Sequence, residues 1–343
     1  MPKVSVIMPA YQAAKYISEA IQSIVNQEFT DWELIIVDDG SLDDTPAIVS
    51  LWGAKDSRIR WIQNETQMGA AKSRNKAIAV SCGEFIAFLD ADDTAYPQRL
   101  QKQVSYFQKN PSIGLVAHWL DIIDENSLPH PIQWPWRKEK DAHLPVFLLF
   151  GNAFALSSVM MRRSVWERSH GFLSKYEPCE DYALWSEVAF LTNMHIIAEK
   201  LGTHRKHSNN WTARAAEKSQ SQVEKIIYMN ISKLKIALSK QDLHLHQQLR
   251  HRQFILTNDF GQSAQKWLEF LWKQNEKCQV YQQDAMAEVL GEIWYDYWHL
   301  RHTEGFHSLQ RYFASPLWKA NNFRKNLLLI ALVCKQSLKS FYK

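Results

Sequence analysis

The stretch Phe85-Ile86-Ala87-Phe88-Leu89-Asp90-Ala91-Asp92-Asp93 decides the fold, because it joins an apolar run to a cluster of carboxylates. Five apolar residues flanked by polar segments indicate a strand buried on both faces. In an extended chain Asp90 and Asp92 point to the same side. Two such carboxylates can bind Mn²⁺ or Mg²⁺, which prefer hard oxygen ligands. A solvated acidic loop after a core strand would give the same pattern, so neighbouring segments have to decide between the two interpretations.

Strand-like and helix-like segments alternate up to residue 89. Apolar strand-like runs occur at Val4–Met8, Glu33–Val37 and Ile59–Ile62, and helical patterns separate them from one another and from the run at Phe85. The order β-α-β-α-β-α-β predicts an α/β, Rossmann-like domain with a mostly parallel sheet and helices on both faces.

Two of these strands end in acidic residues, at Asp38-Asp39 and at Asp90–Asp93. Parallel strands place both clusters at the carboxyl edge of the sheet, where open α/β folds bind ligands. Neither cluster lies in a Gly-rich phosphate loop, which argues against a dinucleotide-binding domain and a P-loop. A bound nucleotide diphosphate would therefore need a metal for much of the work that a glycine loop performs.

The composition excludes several classes of protein. The chain has 343 residues, 46% of them hydrophobic and 22% charged, which is typical of a globular protein with one large domain plus an addition, or with two domains. A net charge of +4 does not indicate nucleic-acid binding. Four cysteines without paired spacing argue against disulfides and Cys-based zinc, and favour a cytoplasmic protein. We find no signal-peptide pattern and no apolar run near the ~20 residues of a membrane span.

Four motifs together resemble the inverting family 2 glycosyltransferases of the GT-A fold, of the type that builds bacterial surface polysaccharides. In chain order the motifs are Val4–Tyr11, Val37–Ser41, Gly69–Asn75 and Gly83–Asp93. The resemblance covers roughly residues 1–215. It implies a GT-A catalytic domain over 1–215 with nucleotide-sugar and acceptor sites, followed by a helical C-terminal region over 216–343.

The resemblance implies particular roles at the carboxyl edge of the sheet. The nucleotide-binding residues would be Pro9, Ala10, Tyr11, Asp38, Asp39, Arg74, Asn75, Asp90 and Ala91. Asp39, with Asp38 beside it, would accept hydrogen bonds from the base and the ribose. Asp90 and Asp92 would bind Mn²⁺ or Mg²⁺, and Asp93 would orient the donor sugar. A plain turn at Asp38–Gly40 and a solvated helix face at Arg74 remain alternatives.

The segment Glu180-Asp181-Tyr182-Ala183-Leu184-Trp185 begins a predicted helix. Acidic residues in a first turn often only complement the helix dipole. The resemblance implies that Asp181 is the catalytic base that deprotonates the acceptor hydroxyl, and that Glu180 orients the acceptor. We also expect Trp185 to lie at the donor sugar or acceptor.

Two irregular segments could complete the site. The Trp-rich residues 121–143 could stack on an acceptor sugar, although packing onto the domain is the favoured interpretation. The basic segment His204–Thr212 would suit a diphosphate, with His207 as the candidate metal or diphosphate contact. A solvated basic loop is the alternative.

Residues 305–343 combine basic residues with the apolar run Leu327–Cys334 and contain no Asp or Glu. The basic residues are Arg311, Lys319, Arg324, Lys325, Lys335, Lys339 and Lys343. This pattern is typical of an interfacial helix on an anionic membrane. A core helix or a dimer contact would give the same pattern, and both remain open.

The resemblance implies a metal-assisted glycosyltransferase, and the cysteine usage and the basic C-terminal segment predict that it lies in the cytoplasm, peripheral to the inner face of the cell membrane. Its partners would be a nucleotide-sugar donor, most simply UDP-linked, and a glycan or lipid-linked glycan acceptor, without nucleic acid. A sugar-nucleotide nucleotidyltransferase would need a Gly-rich basic loop where Pro9–Gln12 stands. A non-catalytic glycan-binding or membrane-binding protein would have an incomplete acid set, whereas Asp39, Asp90, Asp92 and Asp181 are all present.

Overall fold

The computed structural model describes residues 1–131, 140–207, 215–321 and 323–341. The chain forms two compact units. The first, here the sheet unit, comprises Met1–Leu144 and Asn152–Ile226, and the second, the helical unit, comprises Pro145–Gly151 and Ile227–Lys343. The short segment Pro145–Gly151 thus belongs to the helical unit although sheet residues flank it in sequence.

One mixed sheet is the framework of the sheet unit. Its described strands are β1 Val4–Ala10, β2 Trp32–Asp38, β3 Ile59–Gln63, β4 Phe85–Phe88, β5 Thr94–Ala95, β6 Ile113–Ile123, β7 Met160–Arg162 and β8 Asn193–Arg205. They lie in the order β3-β2-β1-β4-β7-β6-β8-β5. The pairs β1–β2, β1–β4, β2–β3 and β6–β8 are parallel, whereas β7 and β5 pair antiparallel with their neighbours. This arrangement confirms the predicted α/β fold with a mostly parallel sheet.

Helices follow the strands as the alternation predicted. Their bounds are α1 Ile17–Val25, α2 Thr45–Lys55, α3 Ala70–Ala79, α4 Arg99–Lys109, α5 Leu144–Phe150, α6 Arg163–Trp166 and α7 Glu180–Val188. Helix α1 buries Ile17, Ala20, Ile21 and Ile24. These residues share one face because they recur every three to four positions. The core that α1 joins also contains apolar side chains of β1, β2 and β4.

Pairing between β1 and β2 brings two predicted motifs together. Ala10 lies opposite Asp38 in the register, and the backbone N–H of Asp39 donates to the carbonyl of Ala10 at 2.8 Å. The strands are fully or almost fully buried, so the chain leaves the core only where they end. The motif after β1 and the acidic residues after β2 consequently lie side by side.

Two sequence-based boundaries differ in the structure. His204 and Arg205 belong to β8, not to a loop, because β8 continues along β6 as far as the pair Ile123–Arg205. The sequence of residues 157–163 is typical of a strand, but only Met160–Arg162 forms one, preceded by a 3₁₀ helix at Leu156–Ser158. The expectations for Trp134–Trp136 and for Ser208–Thr212 lie outside the described residues.

The chain continues with six described helices, of which the first begins in the sheet unit and the other five lie in the helical unit. They are α8 Ala216–Ser232, α9 Lys240–Arg250, α10 Asn258–Cys278, α11 Gln283–Leu300, α12 Phe306–Ala314 and α13 Phe323–Phe341. Buried aromatic residues of α11, among them Trp294, Tyr297 and Trp298, pack against one another. Within the described ranges, none of the helices combines the length and the apolar character that crossing a bilayer requires.

Candidate active site

The carboxylate of Asp39 has four protein donors. Its Oδ1 accepts from the Asn64 side-chain amide at 2.7 Å, the Met68 N–H at 2.9 Å and the Ser73 hydroxyl at 3.0 Å, and its Oδ2 accepts from the Gly69 N–H at 2.9 Å. The side chain is buried. A carboxylate offers about four lone-pair sites in total. The Asp39 carboxylate therefore uses most of its acceptor capacity within the protein, and it holds the backbone of Met68 and Gly69 just before α3.

Asp38 is buried beside it, with a weaker set of contacts. Its Oδ2 accepts from the Ser41 N–H at 3.4 Å, while its buried Oδ1 has no hydrogen-bond partner among the described residues. At the end of β1, Ala10 is buried whereas Tyr11 is exposed. The predicted nucleotide-binding motifs thus form a buried floor of acids with one exposed aromatic ring beside it.

Arg74 on α3 bridges two carboxylates. Its Nη2 donates to Oδ1 of Asp90 at 2.8 Å and its Nη1 donates to Oε1 of Glu180 at 2.5 Å. Its side chain is only 7% exposed. Although burial alone would lower the pKa of the guanidinium, Asp90 and Glu180 raise it above its usual range. Arg74, for which the resemblance implies a nucleotide contact, instead bridges the Asp-x-Asp motif and the first turn of α7.

Asn75 and Glu177 use their polar atoms inside the protein. The amide of Asn75 donates to the carbonyl of Phe172 at 2.8 Å and accepts from its N–H at 3.1 Å, whereas the resemblance implied a nucleotide contact. Glu177 accepts from the Ala71 N–H at 2.8 Å at the start of α3. Gly69 precedes this helix with φ +95°, and a Cβ there would meet the Glu177 carboxylate at 2.7 Å. Only glycine fits this conformation and this contact.

Asp92 faces His207. The Nε2 of His207 lies 3.0 Å from Oδ2 of Asp92, and the side chains are 10% and 26% exposed, respectively. The His207 ring also packs on Tyr16, with ring centroids 5.1 Å apart. Unlike Asp39, the carboxylate of Asp92 keeps part of its surface open to solvent. Ala91, between the two acids of the motif, is buried.

Asp93 is an interior residue. Its Oδ1 accepts from the backbone N–H of Arg205 at 2.8 Å, and its Oδ2 lies 3.3 Å from Nδ1 of His204. Burial alone would lower the pKa of His204, but the Asp93 carboxylate outweighs it and raises that pKa to about 9. Because its side chain is 1% exposed, Asp93 does not face a sugar in this structure. It supports the loop behind the Asp-x-Asp motif.

Asp181 lies in the first turn of α7. Its Oδ1 accepts from the Tyr182 N–H at 2.7 Å, and its Oδ2 accepts from the Asn152 amide at 2.8 Å. Burial, together with the charge of Glu180, raises the pKa of Asp181 to about 7. A carboxylate that titrates near neutral pH is suited to general base catalysis.

Trp185, one turn further along α7, corrects a prediction. Its side chain is fully buried and packs against Phe88, Phe154 and Phe172. An indole ring in this position cannot contact a donor sugar or an acceptor. Trp185 lies on the apolar side of α7 together with Val188, which is also buried, and this side packs into the core.

Three residues of this region escaped sequence reasoning. Asn64 and Asn152 donate to the acids described above, and Ser157 accepts a hydrogen bond at Oγ from the backbone N–H of Asp90 at 3.0 Å. None of them belongs to the four motifs that carry the resemblance or to the segment Glu180–Trp185. Only long-range pairing identifies them, because single polar residues in loops are common.

The donor atoms near Asp92 fit a divalent cation. Oδ2 of Asp92 and Nε2 of His207 are 3.0 Å apart, so both can lie about 2.1 Å from one ion, and Mn²⁺ accepts carboxylate and imidazole ligands. In the described part of the chain no three His, Cys, Asp or Glu side chains form a ready cage. Cations that also bind substrate phosphates typically have only one or two protein carboxylates.

Comparison with known proteins identifies the family of the chain. The profile described as "Glycosyl transferase family 2" matches residues 5–168. The chain is 32% identical over 239 residues to an uncharacterized glycosyltransferase of Haemophilus influenzae, covering 67% of this chain and 74% of that protein. The chain belongs to the family 2 glycosyltransferases. It is thus a glycosyltransferase that acts on nucleotide sugars, as the motifs predicted.

A second relative has a more specific name. The chain is 34% identical over 195 residues to Escherichia coli WfgD, covering 57% of this chain and 72% of WfgD. WfgD is named as a UDP-Glc:alpha-D-GlcNAc-diphosphoundecaprenol beta-1,3-glucosyltransferase. This name describes the activity of WfgD.

Solved structures share the fold. S. aureus TarS 1–349 in complex with UDP-GlcNAc aligns with a TM-score of 0.58 at 20% identity, over 90% of this chain and 89% of TarS 1–349. The mannosyltransferase PcManGT from Pyrobaculum calidifontis, in complex with GDP-Man and Mn²⁺, aligns with a TM-score of 0.52 at 17% identity, over 98% of this chain and 87% of that one. At these identities the likeness supports the GT-A fold alone.

Proposed function

We propose that this family 2 glycosyltransferase inverts the configuration of the transferred sugar in a single displacement, with Asp181 as the catalytic base. The observation that carries the proposal is the bridge from Asp90 through Arg74 to Glu180. The bridge connects Asp90, part of the candidate cation site for the diphosphate leaving group, to the helical turn that carries Asp181. A direct displacement needs these two groups around one sugar.

The reaction follows from this arrangement. The acceptor hydroxyl oxygen attacks the anomeric carbon from the face opposite the diphosphate, and Asp181 takes its proton. The bond from the anomeric carbon to the diphosphate oxygen breaks, and the nucleoside diphosphate leaves with the bonding electrons. Because the pKa of Asp181 is about 7, the group is ionised in a useful fraction of molecules at neutral pH and can still hold a proton.

Asp92 and His207, with Asp90 beside them, would hold Mn²⁺ or Mg²⁺. A bound cation would supply positive charge to the departing diphosphate. The Arg74 guanidinium already pairs with Asp90 and Glu180, so we do not assign it to the diphosphate. The positive charge for the diphosphate would then come from the cation. The complex of PcManGT with Mn²⁺ supports a cation in this fold.

We further propose that the donor is UDP-linked and that the acceptor is a glycan or a lipid-linked glycan. The names of WfgD and of the TarS complex support uridine nucleotides, whereas PcManGT binds GDP-Man. WfgD also supports a diphospholipid-linked acceptor by its name. In this chain Asp38, whose buried Oδ1 has no hydrogen-bond partner among the described residues, would accept from the base or the ribose beside Asp39.

Thermal stabilisation tests the donor site directly. We expect UDP to raise the melting temperature in the presence of Mn²⁺, and GDP and CDP to do so less. A shift that needs the cation and disappears in Asp92→Asn supports both sites together. Equal shifts for all three nucleotides would contradict the uridine proposal, and shifts that persist in EDTA would contradict the cation proposal.

The base assignment has its own test. Asp181→Asn keeps the shape of the side chain and removes the proton acceptor, so we expect turnover to fall by about 10²–10⁴-fold while UDP still stabilises the protein. Asp56→Asn, which changes an ion pair with Arg58 at the end of α2, is the matched control. Wild-type turnover in Asp181→Asn would rule out this base. Retention of configuration in the product would rule out single displacement.

For residues 305–343 we propose attachment to an anionic membrane surface. Within the helical unit, Phe306, Leu327 and Leu328 are exposed apolar residues, and the exposed Arg324 lies one helical turn before Leu327. Leu329 and Val333, on the other face of α13, are buried. Apolar side chains beside basic ones suit an interface with anionic lipid.

Vesicle sedimentation tests this attachment. We expect the protein to bind vesicles that contain anionic phosphatidylglycerol and not purely zwitterionic ones, and to lose binding in Leu327→Glu/Leu328→Glu. Leu51→Glu, an exposed leucine of α2, is the control for a generic loss of apolar surface. Binding that is equal for both vesicle types, or unchanged in the double variant, would contradict the proposal.

A further inference from the structure

The segment that follows α5 contacts the candidate base. Asn152 lies in a loop before the 3₁₀ helix Leu156–Ser158, and its side-chain Nδ2 donates to Oδ2 of Asp181 at 2.8 Å. Neither the sequence motifs nor the names of the relatives assign a role to Asn152. It is separated from Asp181 by 29 positions, so the contact depends on the fold and not on local sequence.

The orientation of the Asn152 amide is fixed by its other end. Oδ1 accepts from the backbone N–H of Phe154 at 3.2 Å, so the NH₂ group is the end that faces Asp181. Phe154 is buried and packs edge-on against Trp185, with ring centroids 6.4 Å apart. Trp185 lies four residues after Asp181 on α7. The loop is therefore anchored to the helix that carries the base.

Among the described residues, two charged groups act on Asp181 in opposite directions. Glu180 on the same helix opposes ionisation of Asp181, and Arg74 from α3 favours it. Burial raises the pKa of Asp181 most strongly, while the hydrogen bonds from Asn152 and from the Tyr182 N–H lower it. Asn152 is a neutral donor at this carboxylate. It can stabilise the ionised form without offering a competing site for the proton.

We propose that Asn152 is the positioning residue of the catalytic base. Its amide N–H holds Oδ2 of Asp181, so that the ionised carboxylate presents a fixed lone pair to the acceptor hydroxyl. The inference rests on the proposed function, because it assumes that Asp181 accepts the proton. Asn152 itself need not touch the substrate for this role.

Two variants separate this role from loop structure. Asn152→Ala removes the bonds to Asp181 and Phe154. Asn152→Asp keeps an oxygen that accepts from Phe154 but replaces the donor to Asp181 with a negative charge. We expect kcat to fall about tenfold or more in both, since a general base contributes about 10²–10⁴-fold in total. We also expect the acid limb of the kcat–pH profile to move to higher pH, further in Asn152→Asp.

The donor KM and the thermal shift with UDP should stay at wild-type values, because donor binding does not use this bond. Asn110→Ala is the matched control. It removes a side-chain amide that donates to the Tyr106 carbonyl at 2.9 Å at the end of α4, and kcat and its pH profile should not change.

The outcomes distinguish the inference from the function on which it rests. If Asp181→Asn is inactive while Asn152→Asp keeps the wild-type kcat and pH profile, the positioning role is wrong and the base assignment stands. If Asp181→Asn retains turnover, the base assignment fails and the positioning role fails with it. If Asn152→Ala unfolds, the folded Asn152→Asp variant decides, and a wild-type acid limb in it overturns the inference.

Discussion

The two acidic strand ends of the sheet unit are alike in sequence and different in structure. After β2, Asp38 and Asp39 are buried, and Asp39 has four protein donors. After β4, Asp90 and Asp92 keep 32% and 26% of their side-chain surface exposed. Protein donors thus occupy the carboxylate of Asp39, whereas the carboxylates of Asp90 and Asp92 are partly accessible to a ligand. Carboxylates after a buried strand thus locate a site, and the neighbouring loops decide which cluster is structural.

Removing an acid from the partly accessible cluster should affect activity most and stability least. For Asp92→Asn we expect turnover to fall by about 10³-fold, since charge stabilisation at a leaving group is worth several kcal/mol. The free energy of unfolding should change by less than about 0.5 kcal/mol, as for other substitutions at partly exposed sites. Steady-state kinetics and urea denaturation measure the two effects. A large loss of stability would make Asp92 a structural residue like Asp39.

Breaking the ion pairs of Arg74 tests how much this bridge between Asp90 and Glu180 contributes to stability. Arg74→Met leaves Glu180 buried without its partner and Asp90 without its ion pair, so we expect a loss of about 3 kcal/mol in unfolding free energy. Arg58→Met, which breaks the more exposed pair with Asp56, should cost less than about 1 kcal/mol. Equal losses in the two variants, measured by urea denaturation, would show that the bridge contributes no more than a surface pair.

Asp39, in the buried cluster, should respond through stability. Asp39→Asn keeps the shape but turns one end of the side chain from acceptor to donor, opposite N–H groups that are already donors. We expect a loss of about 2 kcal/mol, the usual cost of an unsatisfied buried group. The same Asp-to-Asn change at position 92 is the control. If both variants unfold at wild-type urea concentrations, the contrast between the clusters does not hold energetically.

Asp181, a carboxylate outside both clusters, extends the comparison to the pH dependence of activity and stability. With its pKa at about 7, the base is mostly ionised at pH 8 and mostly protonated at pH 6, so we expect kcat to fall roughly tenfold between them. A folded-state pKa above the unfolded value also means that this group loses its contribution to stability as the pH rises from about 4 towards 7. Asp181→Asn should therefore flatten the dependence of stability on pH in this range. A kcat that stays constant down to pH 5 would contradict the assignment.

The sequence predicted the sheet well where the pattern was local. Apolar runs and helical spacing located β1 to β4 and the helices between them, because each element buries a face that its own residues define. It did not predict that β7 inserts antiparallel between β4 and β6, since three residues carry no signal for a partner. Nor did it predict that Pro145–Gly151 belongs to the helical unit.

The site was predictable in residue type more than in contact. The motifs identified Asp39, Asp90, Asp92 and Asp181, and their roles remain proposals. Their partners come from distant segments, as the bond between Asn152 and Asp181 illustrates, and single-sequence patterns do not encode such pairs. Trp185, expected at the donor sugar or acceptor, lies in the core, because it shares the apolar side of α7 with the buried Val188.

The hydrogen bonds from Met68 and Gly69 to Asp39 also concern the entropy of substrate binding. Both bonds are made within the protein, so the backbone that leads into α3 does not need a ligand to satisfy these N–H groups. A ligand that enters a preorganised pocket loses less affinity to the ordering of loops. Amide hydrogen exchange at Met68 and Gly69 should therefore already be slow without ligand and change little when the donor binds.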